Sequence, residues 1–308
     1  MKTAAYALAD YATQGYVALV GLLILFGHNL TTPRWAALVA GHAVLLVAIH
    51  ALIAAHARGR GGRMLELLRH FYPVPLFIVF YRETAELNRL LVPQYLDPLL
   101  IRLEGALFGG QLSLTLMQRF PYRAVSETLY AAYLSYYFMI PGIGLALYFR
   151  DRRHFAHFLA VLSLVFYACY LAYICLPVIG PSVFHQDWRA LGIPAEVIPA
   201  DVPAAPAEVA TGFCFGLMRW VYRVFEAPGA AFPSSHVAVA ILTLYFSFRY
   251  LPRIAWIHLV GVLLLCLATV YCGYHYLLDV AAGLVTAAVL IPVANALHSR
   301  FDQTTARS

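Results

Sequence analysis

Apolar positions along this chain gather into eight runs separated by short polar segments, each approaching the ~20 residues a helix needs to cross a bilayer. The runs fall at 14–30, 34–56, 71–90, 126–149, 154–179, 236–250, 254–272 and 275–297. The pattern predicts an all-α polytopic membrane protein of about eight transmembrane helices. The first two runs form a hairpin whose turn, "NLTTPRW", offers Thr32 as a helix cap and Pro33 at the first helical position. The segment "YLDPLLIRLEGALFGGQ" sets Leu96, Leu99, Leu100, Leu103 and Leu107 near one helical face and Asp97, Arg102 and Glu104 towards another, as for a helix lying in the membrane interface. Prolines recur too often in 193–209 for a regular helix, so an irregular loop is expected there. No internal repeat is visible.

Composition agrees with this reading: 62% of the 308 residues are hydrophobic and 12% are charged, which excludes an ordinary soluble domain. The net charge of +6 does not point to nucleic acid, because its distribution follows topology. Arg58, Arg60, Arg63, Arg69, Arg150, Arg152, Arg153, Arg249, Arg253, Arg300 and Arg307 all fall on one side of an alternating eight-span chain. The positive-inside rule makes that side cytoplasmic, with both termini inside and the first run retained. The expected location is a bacterial inner membrane, with long outer segments at 91–123 and 180–233. The five cysteines show no metal spacing and no disulfide framework, and neither a metal nor a cofactor is expected.

Two stretches carry polar residues into apolar runs. In "FPSSHVAVA", Ser234 and Ser235 stand at the start of a helix, where unpaired N–H groups and the helix dipole attract anions, and His236 follows. The plain alternative is that Ser234 caps the helix and His236 meets the interface. In "YCGYHYLLDVAAG", His275 and Asp279 are four apart, so on a helix they would share a face and the carboxylate would orient the imidazole. An acid within a span is costly, which favours function over a structural stitch. The topology brings both histidines to one side. His275 then suits a nucleophile, Asp279 its partner and His236 a general acid, acting on a phosphate ester through a phosphohistidine, with backbone N–H groups near Ser234 and Ser235 stabilising the phosphoryl oxygens. The competing class is a transporter or flippase using His and Asp as a proton relay.

At these residues the sequence resembles the type 2 phosphatidic acid phosphatase and vanadium haloperoxidase superfamily, whose motifs are KxxxxxxRP, PSGH and SRxxxxxHxxxD. "PSSH" at 233–236 matches the second and "HYLLD" at 275–279 the end of the third. The resemblance implies a six-helix catalytic bundle and the same roles for His275, Asp279 and His236. The sequence departs from the pattern at Ala268 and Thr269, where serine and arginine are expected, and it lacks the first motif. "LPVIGPS", "LEGALFGG" and "SETLYAAYLSYY" look like the inositol phosphorylceramide synthase-like branch, which implies transfer of a phosphorylated headgroup. Without the basic motif, the expected phosphate ligands are Arg82 and Arg223, with Arg123 and Arg219 behind them, although each arginine also suits a solvated or headgroup-contacting position. Glu127, Tyr130, Tyr133 and Tyr136 fall at helical spacing, suiting an acceptor pocket or simple packing. The expected division is a two-helix hairpin with a basic loop at 1–70, a catalytic domain at 71–298 and a tail at 299–308. The expected partners are a phospholipid or isoprenyl phosphate, a lipid or polyol acceptor, and the bilayer.

Overall fold

The computed structural model describes residues 6–59 and 62–307; Arg60 of the expected basic loop lies outside the described residues, as does the side chain of Arg307. Thirteen α-helices are described: α1 (Leu8–Gly27), α2 (Trp35–Ala57), α3 (Arg63–Phe71), α4 (Pro73–Leu87), α5 (Asp97–Phe108), α6 (Leu112–Arg119), α7 (Arg123–Arg150), α8 (Arg152–Cys175), α9 (Ala207–Ala210), α10 (Phe213–Phe225), α11 (Ser235–Tyr250), α12 (Pro252–Tyr271) and α13 (Leu277–Arg307). The protein is all-α; among the described residues extended pairing is limited to an isolated bridge between Val178 and Ala230.

Local sequence explains the main boundaries. Pro73 and Pro252 sit at the first positions of α4 and α12, where a missing N–H costs nothing. Asp151 caps α8 by accepting from the Arg153 N–H at 2.8 Å. Gly109, at φ +74°, ends α5 in the left-handed region. The expected cap at Thr32 is not made: its hydroxyl is buried without a partner and α2 starts at Trp35, whose N–H donates to the Thr32 carbonyl.

Six helices, α1, α2, α7, α8, α12 and α13, are long and apolar enough to cross a membrane. The third and sixth runs form α4 and α11, with 15 and 16 residues. At about 1.5 Å per residue these reach roughly 22 and 24 Å, short of the ~30 Å hydrocarbon layer. Helix α11 stops at Tyr250, with Leu251 at φ −131° and ψ 52°, because the residue before Pro252 is pushed out of helical geometry; Tyr72, before Pro73, keeps helical angles where α3 meets α4.

Helix α8 is central, with α1, α4, α7, α11 and α13 packed around it. Tyr16 of α1 stacks on Tyr167 of α8 at 4.6 Å, and the Thr13 and Tyr167 hydroxyls meet at 2.9 Å. The first helix of the hairpin thus shares the core of α8, whereas α2 packs on α1 and α3 and leaves Val44 and Val47 exposed. Helices α11 and α13 pack together and are each antiparallel to α12 through tight corners at Leu251 and 272–276, so their N-termini lie at the same end of the bundle.

Candidate active site

The site forms where the starts of α11 and α13 meet. The segment before α11 is held by its bridge to the 176–182 loop: the Val178 N–H donates to Gly229 O at 3.3 Å and the Ala231 N–H to Val178 O at 2.9 Å. The Ser234 N–H then donates to the Asp279 carbonyl at 3.0 Å, tying α11 to the first turn of α13.

His275 is not on a helix, contrary to the spacing argument. The chain leaves α12 through a turn with Gly273 at φ +71°, and the Thr269 carbonyl accepts from both the Tyr274 and His275 N–H groups at 3.1 and 3.0 Å. Helix α13 begins at Leu277, after Tyr276. Asp279, in its first turn, reaches back so that Oδ2 accepts from the Tyr276 N–H at 2.8 Å, one half of a capping box. The same oxygen stands 3.4 Å from His275 Nδ1, an ion-pair distance off the hydrogen-bond line. On the other edge of the ring, His275 Nε2 lies 3.4 Å from His236 Nδ1. His275 is 2% exposed and Asp279 fully buried, with the carboxylate beside one edge of the ring and His236 beside the other.

The serines are engaged in the way the plainer reading expects. Ser234 is fully buried and its hydroxyl caps α11 by accepting from the Val237 N–H at 3.4 Å. The Ser235 N–H donates to the Tyr173 hydroxyl at 3.2 Å, and that hydroxyl donates to the Pro233 carbonyl. Two donors expected to meet a phosphate are therefore used within the protein, leaving the Ser235 side chain facing a cavity.

Among the described residues no hydrogen bond or ion pair joins the expected arginines to the histidine pair. Arg82 is exposed and donates from Nη1 to Val224 O and Glu226 O at 3.0 and 3.1 Å, fastening the end of α10. Arg223, Arg219 and Arg123 are exposed, and Arg219 lies over the Phe215 ring. Aromatic rings surround His236 instead: Tyr136 at 4.4 Å, Tyr133 at 5.0 Å, and behind them Tyr222 stacked on Tyr274 at 3.8 Å. Glu127 turns elsewhere and accepts from the Cys214 N–H at the start of α10. Among the described residues no group of three His, Cys, Asp or Glu is placed to hold a metal ion.

His236 and Ser235 head an apolar cavity of about 740 Å³, floored by α8 and flanked by α4 and α7. From Phe155 to Tyr170 its floor runs roughly 22 Å at about 1.5 Å per residue, the length of a lipid chain rather than a headgroup. Glu226 stands at the polar end, its carboxyl pushed up by burial and eased by the Ser182 hydroxyl.

Two residues near the site stand out in sequence only as part of the polar face of an interfacial helix. Asp97 and Glu104, seven apart on α5, are fully buried. Asp97 accepts from the Ile179 and Gly180 N–H groups, both at 2.9 Å, and from the Tyr276 hydroxyl at 3.1 Å; Glu104 accepts from the Leu278 N–H at 3.2 Å. Burial lifts Asp97 to about 6 and Glu104 to about 7 against these donors.

The described residues thus form an all-α protein with membrane-length helices and a histidine pair at the head of an apolar groove. The PAP2 superfamily model matches residues 99–293, and the chain belongs to that superfamily. The match begins inside α5, ends inside α13 and includes both histidines and Asp279. Comparison with curated proteins and with solved structures gave no match.

Proposed function

We propose that the protein is an integral membrane enzyme that cleaves a lipid phosphoester without a metal, through a phosphohistidine, and delivers the phosphoryl or phosphorylated headgroup to an acceptor hydroxyl or to water. The carrying observation is the 3.4 Å approach of His275 Nε2 to His236 Nδ1 at the head of the apolar groove. His275 Nε2 attacks phosphorus, the bond to the lipid oxygen breaks, and that oxygen takes the proton held by His236. Asp279 stabilises the imidazolium that develops on His275. In the second half His236 takes the proton of the acceptor hydroxyl, whose oxygen attacks phosphorus as the bond to His275 breaks.

Direct contact between the rings leaves no space for phosphorus, so one ring turns as substrate enters. His275 is held by Asp279 and almost fully buried, whereas His236 borders the groove. His236 is therefore the ring that swings. A lipid chain in the groove places its ester oxygen beside His236, which is the geometry needed for the lipid alcohol to leave. Arg82 and Arg223 remain the proposed phosphate ligands; Arg82 is fastened to the carbonyls of Val224 and Glu226, and Glu226 lines the same cavity as His236. The site faces the extracytoplasmic side with both termini inside, and the similarity of "LPVIGPS" and "LEGALFGG" to the inositol phosphorylceramide synthase-like branch favours an alcohol acceptor over water.

The test is product analysis. Membranes with wild type or His275→Ala are incubated with phosphatidic acid, isoprenyl diphosphate or phosphatidylinositol, each with and without ceramide or diacylglycerol. Products formed by wild type alone support the reading; equal products from His275→Ala contradict it.

A further inference from the structure

The buried face of α5 points to a role for two residues outside the histidine motifs. Residues seven apart on a helix lie almost in line, so Asp97 and Glu104 form a single inward stripe two turns long. The opposite stripe, Leu99, Leu103 and Leu107, is exposed. Leu100 and Ile101 are buried beside the carboxylates, so the inward face mixes apolar and acidic residues while a second set of leucines faces outward.

Burying a carboxylate is expensive unless its lone pairs are used, and the hydrogen-bond donors to this stripe all belong to segments that build the site. Asp97 Oδ1 accepts from the Tyr276 hydroxyl and the Gly180 N–H, and Oδ2 from the Ile179 N–H. Tyr276 follows His275 directly and gives its own N–H to Asp279. Gly180, at φ +90°, packs so tightly that a Cβ there would lie 3.0 Å from the Tyr274 carbonyl oxygen. Two turns of α5 further along, Glu104 takes the Leu278 N–H, one of the first donors of α13, which have no partner within the helix. The turn carrying His275 is thus gripped at Tyr276 and at Leu278, on the two sides of the first residue of α13.

We propose that Asp97 and Glu104 are positioning residues for His275, holding its turn so that Nε2 is aimed at the phosphorus and the imidazole stays beside Asp279. This inference rests on the phosphotransfer reading above. Because α5 also carries the exposed leucine stripe, seating of that helix in the membrane interface and alignment of the nucleophile are mechanically one event.

Orthovanadate and inorganic phosphate separate positioning from mere folding. Vanadate accepts a fifth ligand and so reports a nitrogen correctly aimed at the metal oxyanion, whereas phosphate binds without such a bond. Both affinities are measured on the purified full-length protein in lipid nanodiscs, by titration calorimetry, for wild type, Tyr276→Phe, Glu104→Met and Glu104→Gln. Tyr276→Phe removes only the link between the turn and Asp97, and Glu104→Gln keeps an acceptor for the Leu278 N–H.

The expected result is that Tyr276→Phe and Glu104→Met weaken vanadate about tenfold to a hundredfold, as a small misplacement does, with phosphate affinity unchanged and vanadate binding restored in Glu104→Gln. Vanadate affinity equal to wild type in both Tyr276→Phe and Glu104→Met overturns the proposal. So does a parallel loss of both ligands with a lowered melting temperature, which marks a structural role only. If the wild type itself binds no vanadate, the phosphotransfer reading falls and this inference falls with it.

Discussion

Gly283 of α13 lies so close to Ser234 that a Cβ built on it would stand 2.6 Å from the Ser234 carbonyl oxygen and 3.0 Å from the Val237 Cβ. This near-contact lets the start of α11 settle against α13, and it is the packing counterpart of the bond from the Ser234 N–H to the Asp279 carbonyl. The histidine pair depends on that approach, because His236 lies in the first turn of α11 and His275 in the turn that leads into α13.

Gly283→Ala is therefore expected to part the two helices by several tenths of an ångström. Overpacking of this kind costs about 1–3 kcal/mol. Thermal unfolding in detergent should show the loss, and product formation should fall further than stability alone explains. A variant with wild-type melting and turnover would contradict the account.

The groove makes a prediction about chain length. Leu162, 1% exposed, lies in the floor midway between Phe155 and Tyr170. Leu162→Trp should block the far half of the groove while leaving the histidine end open. Long-chain phosphatidic acid should then lose turnover by about tenfold or more, as when one large apolar contact of ~1.4 kcal/mol or more is lost, and a short-chain analogue should be spared. Equal loss for both lengths would place the lipid elsewhere.

Glu104 links stability to pH. Burial raises its carboxyl from 4.5 to about 7 in the folded protein, so between those values the folded state holds more protons than the unfolded state. Stability consequently falls as pH rises through that window, by roughly 3 kcal/mol at most from this group. Glu104→Gln should be indistinguishable from wild type near pH 4 and more stable at pH 8, in thermal unfolding followed across the range. A stability difference that does not change with pH would show that Glu104 keeps an ordinary carboxyl.

Topology is tested at Ala204, which is exposed and whose carbonyl accepts from Gln118 Nε2. Ala204→Cys should react with an impermeant maleimide added to intact cells, because this loop lies at the end of the bundle that carries the histidines. Labelling only after the membrane is opened would reverse the proposed orientation.

Much of the helical layout was readable because apolar run length is a direct consequence of bilayer thickness. Of the two runs that form short helices, the sixth is limited by Pro252, whose effect on Leu251 is local, whereas the third is divided from α3 at Tyr72, which keeps helical angles ahead of Pro73. The histidines stood out as polar residues in apolar surroundings. The relation between His275 and Asp279 was reached through the wrong geometry: spacing suggested one helical face, whereas His275 precedes the helix and Asp279 folds back to the Tyr276 N–H. Asp97 and Glu104 were legible as one face of α5 but not as its buried face, since an amphipathic pattern alone does not say which side meets lipid. Tyr173, which takes the Ser235 N–H, is one tyrosine among 21 in the chain and had no distinguishing neighbour in sequence.

The most direct test of the central claim is to trap the covalent intermediate. Wild type and His275→Ala are mixed with the donor lipids, quenched in alkali, where phosphoramidates survive, and digested for mass spectrometry. The account predicts a phosphorus-bearing adduct on the peptide containing His275, destroyed by acid and absent from the variant. Product formation by the wild type with no adduct on that peptide, together with full activity in His275→Ala, would contradict it.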